Sequence, residues 1–124
     1  MRTDALGVAV AQFAPNADKA DNMRVIEELV AVAAARGASV VLFPEYASYF
    51  VDPFDATLAA NAEPLDGPFV RTLTRIADGY DAVGVAGLAE RGDGQSVRNA
   101  VGALHRKGVC ACSATRHLHR ALRK

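Results

Sequence analysis

The run Val40-Val41-Leu42-Phe43-Pro44-Glu45 limits the folds open to this chain more than any other stretch. It is short, apolar and rich in β-branched residues, and it ends in a proline and a carboxylate. Proline has no N–H to donate to a sheet ladder, so the strand stops there. A helix-like pattern precedes the run and an aromatic, loop-like segment follows it. This is the pattern of a buried parallel strand that carries a carboxylate to the C-terminal edge of an α/β sheet. Ligands of open α/β sheets bind at that edge.

The flanking sequence fits. Leu6–Phe13 alternates as a first strand, punctuated by Pro15 and Asn16. Asp18 is placed to cap a helix from about Lys19 to Arg36, with Met23, Ile26, Val30 and Ala33 on one face and Leu29 beside them. Gly37 follows as the C′ residue. Strand, helix, then strand over Ser39–Phe43 makes a right-handed βαβ unit. Residues 46–66 read as irregular, with a short helix across Asp55–Ala60. Asp66-Gly67-Pro68 opens a further helix closed by Gly79, with Phe69, Leu73 and Ile76 on one face. Ala82–Ala89 is a third strand, and Glu90–Ser96 a turn. Val97–Leu104 is a fourth strand, antiparallel to the third. Val109–Cys112 is a candidate fifth strand and Thr115–Lys124 a candidate basic helix.

At 124 residues the chain fits one domain, and with 51% hydrophobic residues it can bury a core. Its formal net charge of zero gives no reason to expect a nucleic-acid or membrane partner. The zero conceals an asymmetry. Residues 1–104 carry all 14 acids and a net charge of −6, whereas residues 105–124 carry +6 with no acid. Both cysteines and all three histidines also lie beyond residue 104. No secretory leader is visible and no apolar run approaches a membrane span, so a reduced, cytoplasmic setting is expected.

Glu45 has two readings. An acid at a strand end is commonly a solvated surface group. Burial against Phe43, Tyr46 and Tyr49 would instead raise its pKa and suit it to act as a general base. Its context favours the second. The first strand V-A-V-A-Q-F, Asn22, A-x-x-G-A-x-V-V-L-F-P-E (Ala34 to Glu45) and A-E-P-L-D-G-P (Ala62 to Pro68) occur in that order. V-A-G-L-A-E (Val85 to Glu90) and R-N-A (Arg98 to Ala100) complete the series. Together they resemble the N-terminal part of the carbon–nitrogen hydrolase family, the nitrilase and aliphatic amidase superfamily. The resemblance covers residues 5–104. It implies a partial nitrilase-like αββα sandwich with a mixed sheet and helices on one face, and protomers that pair as homo-oligomers. It also implies hydrolysis of a non-peptide C–N bond in a small amide or nitrile at a Glu–Lys–Cys site, with no cofactor and no metal. In that chemistry a thiolate attacks the amide or nitrile carbon, a carboxylate carries the proton and an ammonium stabilises the oxyanion.

Glu45 matches the glutamate of that site. Arg116 or His117 falls near the lysine position, and neither is lysine. Lys107 and Lys124 stand at other spacings. Cys110 and Cys112 precede that point, so the nucleophile's role is not carried over to them. Arg98 and Asn99 read as pocket-edge or hairpin residues. Tyr46, Tyr49 and Phe50 either wall an acyl pocket or pack beneath the loop. Cys110, Cys112, His117 and His119 offer zinc ligands only formally, because one residue between two cysteines is a poor zinc spacing. A disulfide between the two is disfavoured on geometry.

Domain organisation is accordingly expected as 1–104, the N-terminal part of a carbon–nitrogen hydrolase domain, followed by a divergent basic tail, 105–124. Such a break is the expected result of a truncated or frame-altered coding sequence, and it implies an incomplete, inactive chain. The alternative is a non-catalytic remnant that binds a family partner. A nucleotide-binding domain is disfavoured, because the Phe13–Asp18 turn has no glycine with which to cradle phosphate.

Overall fold

The structure, a computed structural model, describes residues 5–92, 96–105 and 108–115; for Cys110, Ala114 and Thr115 the description is of the backbone. Five strands form one mixed sheet in the order β1-β2-β3-β4-β5: β1 Val8–Val10, β2 Val40–Leu42, β3 Val83–Arg91, β4 Val97–His105 and β5 Gly108–Thr115. β1, β2 and β3 run parallel, with Val8 beside Val40 and Val40 beside Val83. β3, β4 and β5 run antiparallel, with Val85 opposite Ala103 and Ala103 opposite Ala111. Three helices punctuate the strands: α1 Lys19–Ala35, α2 Ala56–Ala60 and α3 Pro68–Gly79.

α1 forms because its apolar residues recur at helical spacing and both ends are capped. Asp18 accepts a hydrogen bond from the Asp21 N–H, and Gly37 takes the left-handed conformation at φ 88° that a helix C′ residue needs. At the end of α3 the expected role of Gly79 passes to Asp81. Gly79 is still helical, and Asp81 has φ 50° while the Ala82 N–H returns to the Ala77 carbonyl. Aspartate tolerates the left-handed region through its short polar side chain, so a glycine is not required.

Side chains alternate across the strands, giving the sheet two distinct faces. One face holds Val41, Ala86, Leu88, Ala100 and Leu104. α1 and α3 cover it with Ile26, Val30, Leu73 and Ile76, forming the main core. The upper part of the other face carries Ala89 and Val97, capped by Tyr46, Tyr49 and Leu58 of the β2–α3 connection. α1 therefore lies against the sheet as a helix layer, and the connection forms a separate lid over one end of the opposite face.

β1 and β2 are three residues each, shorter than Leu6–Phe13 and Ser39–Phe43 imply: β2 ends before Pro44 and the left-handed Tyr46, which turn the chain off β3, and β1 pairs with β2 alone. β5 runs further than Val109–Cys112, since nine-residue β4 offers a partner through Thr115. A bulge at Ala103/Leu104 shifts this register. The expected boundary at residue 104 falls within this β4–β5 pairing. Of the expected helix over Thr115–Lys124, Thr115 is instead the last residue of β5, held by pairing with Asn99, and residues 116–124 lie outside the described residues.

Candidate active site

The parallel ladder carries the chain to Glu45 and then breaks. Phe43 N–H donates to Val85 O (2.8 Å), Gly87 N–H to Pro44 O (3.4 Å) and Ala47 N–H to Gly87 O (2.8 Å). Between these bonds Glu45 and Tyr46 bulge outward, and Tyr46 takes φ 54°. For a bulky residue that is an uncommon, strained conformation, and such strain gathers at functional positions.

Gly87 makes this bulge possible. A Cβ there would lie 2.9 Å from Glu45 Cα and 3.1 Å from Tyr46 N, both backbone atoms. The sequence signal was available, since a glycine inside a strand often marks close backbone approach. Gly87→Ala is expected to cost about 1–3 kcal/mol in urea unfolding by forcing the β2 end off the sheet. Gly84→Ala is the matched control. Its Cβ would meet only Leu73 side-chain atoms at 3.6 Å or more, and its change should stay within about 0.5 kcal/mol. Equal losses in the two variants would remove the special role of Gly87.

The segment after Glu45 is pinned from beneath. Asn22 of α1 is buried at 1% exposure, and its amide N–H groups donate to Asn16 O (2.8 Å) and Ser48 O (2.9 Å). Its Oδ1 accepts from Asn16 N–H (2.9 Å). One side chain thereby ties the β1–α1 turn to the loop that presents Glu45. A second anchor is Glu63, within A-E-P-L-D-G-P, whose role no local sequence signal marks. It is 6% exposed, accepts from Phe69 N–H at the start of α3 (2.8 Å) and ion-pairs with Lys19 Nζ (2.7 Å).

Glu45 itself is exposed, so the expected burial against Phe43, Tyr46 and Tyr49 is corrected. Phe43 packs toward the helix side, and the tyrosines pack into the loop's own core. Tyr46 stacks edge-on with Phe54 at 5.2 Å between centroids, and Tyr49 Oη donates to Thr57 Oγ1 (2.7 Å). Of the two roles open to Tyr46, Tyr49 and Phe50, packing beneath the loop is the one observed. Burial chiefly, with the Glu45 charge second, pushes the Tyr46 phenol pKa up.

Asn99 of β4 reaches Glu45 across the sheet end, its side-chain Nδ2 donating to Glu45 Oε1. Ala89 is its partner on β3, and Asn99 shares the face with Val101. Neighbouring Arg98 faces the other way, with Nε 3.7 Å from Glu90 Oε2. The carboxylate is therefore solvent-accessible, oriented by one amide donor and seated on a fixed backbone. That arrangement suits a group that accepts and returns a proton.

The other groups of a Glu–Lys–Cys site are not brought to it among the described residues. Cys112 pairs with Gly102 and so lies on the helix-covered face, opposite to Asn99. Burial and then the Glu90 charge push its thiol pKa up, away from thiolate. Lys19 is engaged with Glu63. No group of three or more His, Cys, Asp or Glu capable of holding a metal occurs among the described residues, and none of their helices is long and apolar enough to cross a membrane. Lys107, Arg116, His117, His119 and Lys124 lie outside the described residues, as does the side chain of Cys110.

Comparison with known proteins gives a consistent picture. The family described as carbon–nitrogen hydrolase matches residues 7–123. Two curated Mycobacterium tuberculosis proteins, Hydrolase MT0498 and Hydrolase Rv0480c, are each 31% identical over 97 residues, covering 77% of this chain and 34% of their own length. The chain thus spans about a third of the curated relatives it matches. An amidase from Nesterenkonia sp. superposes with TM-score 0.78 at 19% identity, over 96% of this chain and 46% of the amidase. XC1258 from Xanthomonas campestris, described as a CN-hydrolase superfamily protein, superposes with TM-score 0.71 at 23% identity, over 90% and 41%. Saccharomyces cerevisiae Nit3, of the nitrilase superfamily, gives 0.74 at 16% identity, over 90% and 44%. The mixed sheet with its helices is the nitrilase-type α/β fold in part.

Proposed function

Because the chain belongs to the carbon–nitrogen hydrolase family, we propose that Glu45 is the general base of a site that hydrolyses a non-peptide C–N bond in a small amide or nitrile. The carrying observation is an accessible carboxylate at the C-terminal end of β2, held by Asn99 over Gly87. In the proposed reaction a cysteine thiol gives its proton to Glu45 as sulfur attacks the substrate carbon. For an amide, the leaving nitrogen takes that proton back and departs as ammonia or an amine. Water then adds to the thioester carbon as Glu45 takes its proton, and Glu45 returns that proton to the sulfur as the C–S bond breaks and the acid departs. The thiol and the oxyanion-stabilising cation must come from outside the described residues.

The 124-residue chain alone is therefore proposed to be inactive. Ammonia release from a panel of small amides and nitriles should stay at the buffer background. A hybrid supplies the decisive arm, with residues 1–104 joined to the C-terminal part of the Nesterenkonia amidase. It should hydrolyse amides, and its Glu45→Gln form should be slower by about 10²–10⁴. Activity that survives this substitution in a folded hybrid would overturn the assignment. A second reading is a non-catalytic binder of an intact family member, favoured by the apolar sheet surface left open below the loop. Co-sedimentation with a full-length relative tests it.

A further inference from the structure

The helix layer stops short of β5. Val109 pairs with Leu104 and Cys112 with Gly102, so both stand on the face that α1 and α3 cover elsewhere in the sheet. Yet Val109 is 36% exposed, Cys112 is exposed, and none of the described β5 side chains is buried. A groove of about 300 Å³ runs here between α3 and β5, with Leu65 and Val70 as its wall and Gly108 and Val109 as its floor. Thr74 lines it too, and its Oγ1 is buried with no hydrogen-bond partner among the described residues. A buried hydroxyl in that condition points to a group seated beside it. Asp66 and Arg71 are the charged residues of the lining, and Asp78 stands one helical turn beyond Thr74 on α3.

We infer that residues 116–124 fold back from Thr115 as a short amphipathic helix and occupy this groove beside α3. Three observations point to this occupant. The first is pattern. At helical spacing Leu118, Ala121 and Leu122 share one face, and Arg116, Arg120 and Arg123 share the opposite one. The second is reach. β5 ends at Thr115, six residues from Val109, which is about 20 Å of strand at roughly 3.3 Å per residue. Nine helical residues span about 14 Å, so a helix reversing at Thr115 lies over β5 and sets Leu122 toward Val109. The third is charge. Residues 116–124 carry four Arg or Lys and no acid, whereas residues 1–104 carry −6. The arginine face is turned to solvent and the leucines to Val70 and Val109. His117 and His119 flank the apolar stripe, and a ring N–H from either suits the Thr74 hydroxyl as a donor. Direct attachment to β5 keeps the segment at high effective concentration, so a small apolar contact is enough for reversible docking. The inference does not depend on the role given to Glu45.

Methyl NMR of the unmodified 124-residue chain tests it. Nuclear Overhauser contacts are expected from the Leu118 and Leu122 methyls to those of Val70 and Val109. Amide exchange at position 122 should be slowed at least about tenfold from the random-coil rate. Leu118→Ser combined with Leu122→Ser keeps every charge and should return that exchange to the random-coil rate. It should also shift the Val70 and Val109 methyl resonances, while unchanged Ile26 and Leu73 resonances report an intact core. Arg120→Ser, on the opposite face, should keep the contacts and hold the protection within about twofold. Random-coil exchange at position 122 in the unmodified chain would overturn the inference. So would contacts from Leu118 and Leu122 to Val8 or Val101 on the other sheet face, or contacts that arise only between two copies in an isotope-mixed sample.

Discussion

Leu73→Ala is expected to lower the unfolding free energy by about 3 kcal/mol, within the 2–5 kcal/mol typical of a fully buried leucine. Leu73 has 0% exposure and lies in the middle of α3, against the sheet. Its side-chain carbons lie over Gly84, in ordinary contact distance of where a Cβ there would stand. Truncation therefore leaves a void bounded by backbone, which cannot collapse easily. Small domains unfold with 5–15 kcal/mol in total, so the loss is a large share. Urea titration of the variant should show a lower midpoint at unchanged slope. Leu6→Ala, at a leucine 68% exposed, should change the midpoint little. A Leu73 variant within 0.5 kcal/mol of the parent would mean that α3 is not fixed to the sheet as described.

The second large effect concerns Glu63→Ala, expected to cost about 2–3 kcal/mol. Full loss of a partner in a buried ion pair costs about 3–5 kcal/mol, and the partial exposure of Lys19 argues for a discount. Two bonds vanish together, the ion pair to Lys19 and the acceptor for the Phe69 N–H at the start of α3. Glu63→Gln keeps an acceptor for that N–H and should lose about half as much. Hydrogen exchange makes the test specific. Protection at Phe69 should fall in Glu63→Ala beyond the global loss and be largely kept in Glu63→Gln. Equal exchange in both variants would show that the carboxylate does not hold the helix start.

Much of this fold was legible because local signals agreed with one another. α1 carried a cap at Asp18, a helical apolar stripe and a glycine at its end, and the structure places its ends within a residue of that expectation. The βαβ unit, α3, the β3–β4 pairing and the position of Glu45 at the strand end followed from equally local patterns. Strand lengths were less legible, because where a ladder stops depends on partners distant in sequence and on the turns that carry the chain off the sheet. Leu6–Phe13 alternates over eight residues, yet only Val8–Val10 pair as a strand. The exposure of Glu45 was hidden for a related reason. The left-handed turn at Tyr46 sends the aromatics under the loop, and no composition rule announces a non-glycine residue at positive φ. Glu63 looked like any surface acid, since its burial depends on Lys19, 44 residues away in sequence. Asn99 was named as an edge residue, but its bond to Glu45 depends on pairing across 54 positions.

The strand order has a temporal meaning. Each strand lies beside the one that precedes it in the sequence, from β1 to β5. A ribosome therefore delivers every strand next to an edge already made, and no early strand waits for a distant partner. The sheet can grow by addition at one side while translation proceeds, with α1 and α3 arriving between strands to shield a single face as it widens. Nascent chains arrested after β2, after β3 and after β4 should acquire protease resistance in that sequence.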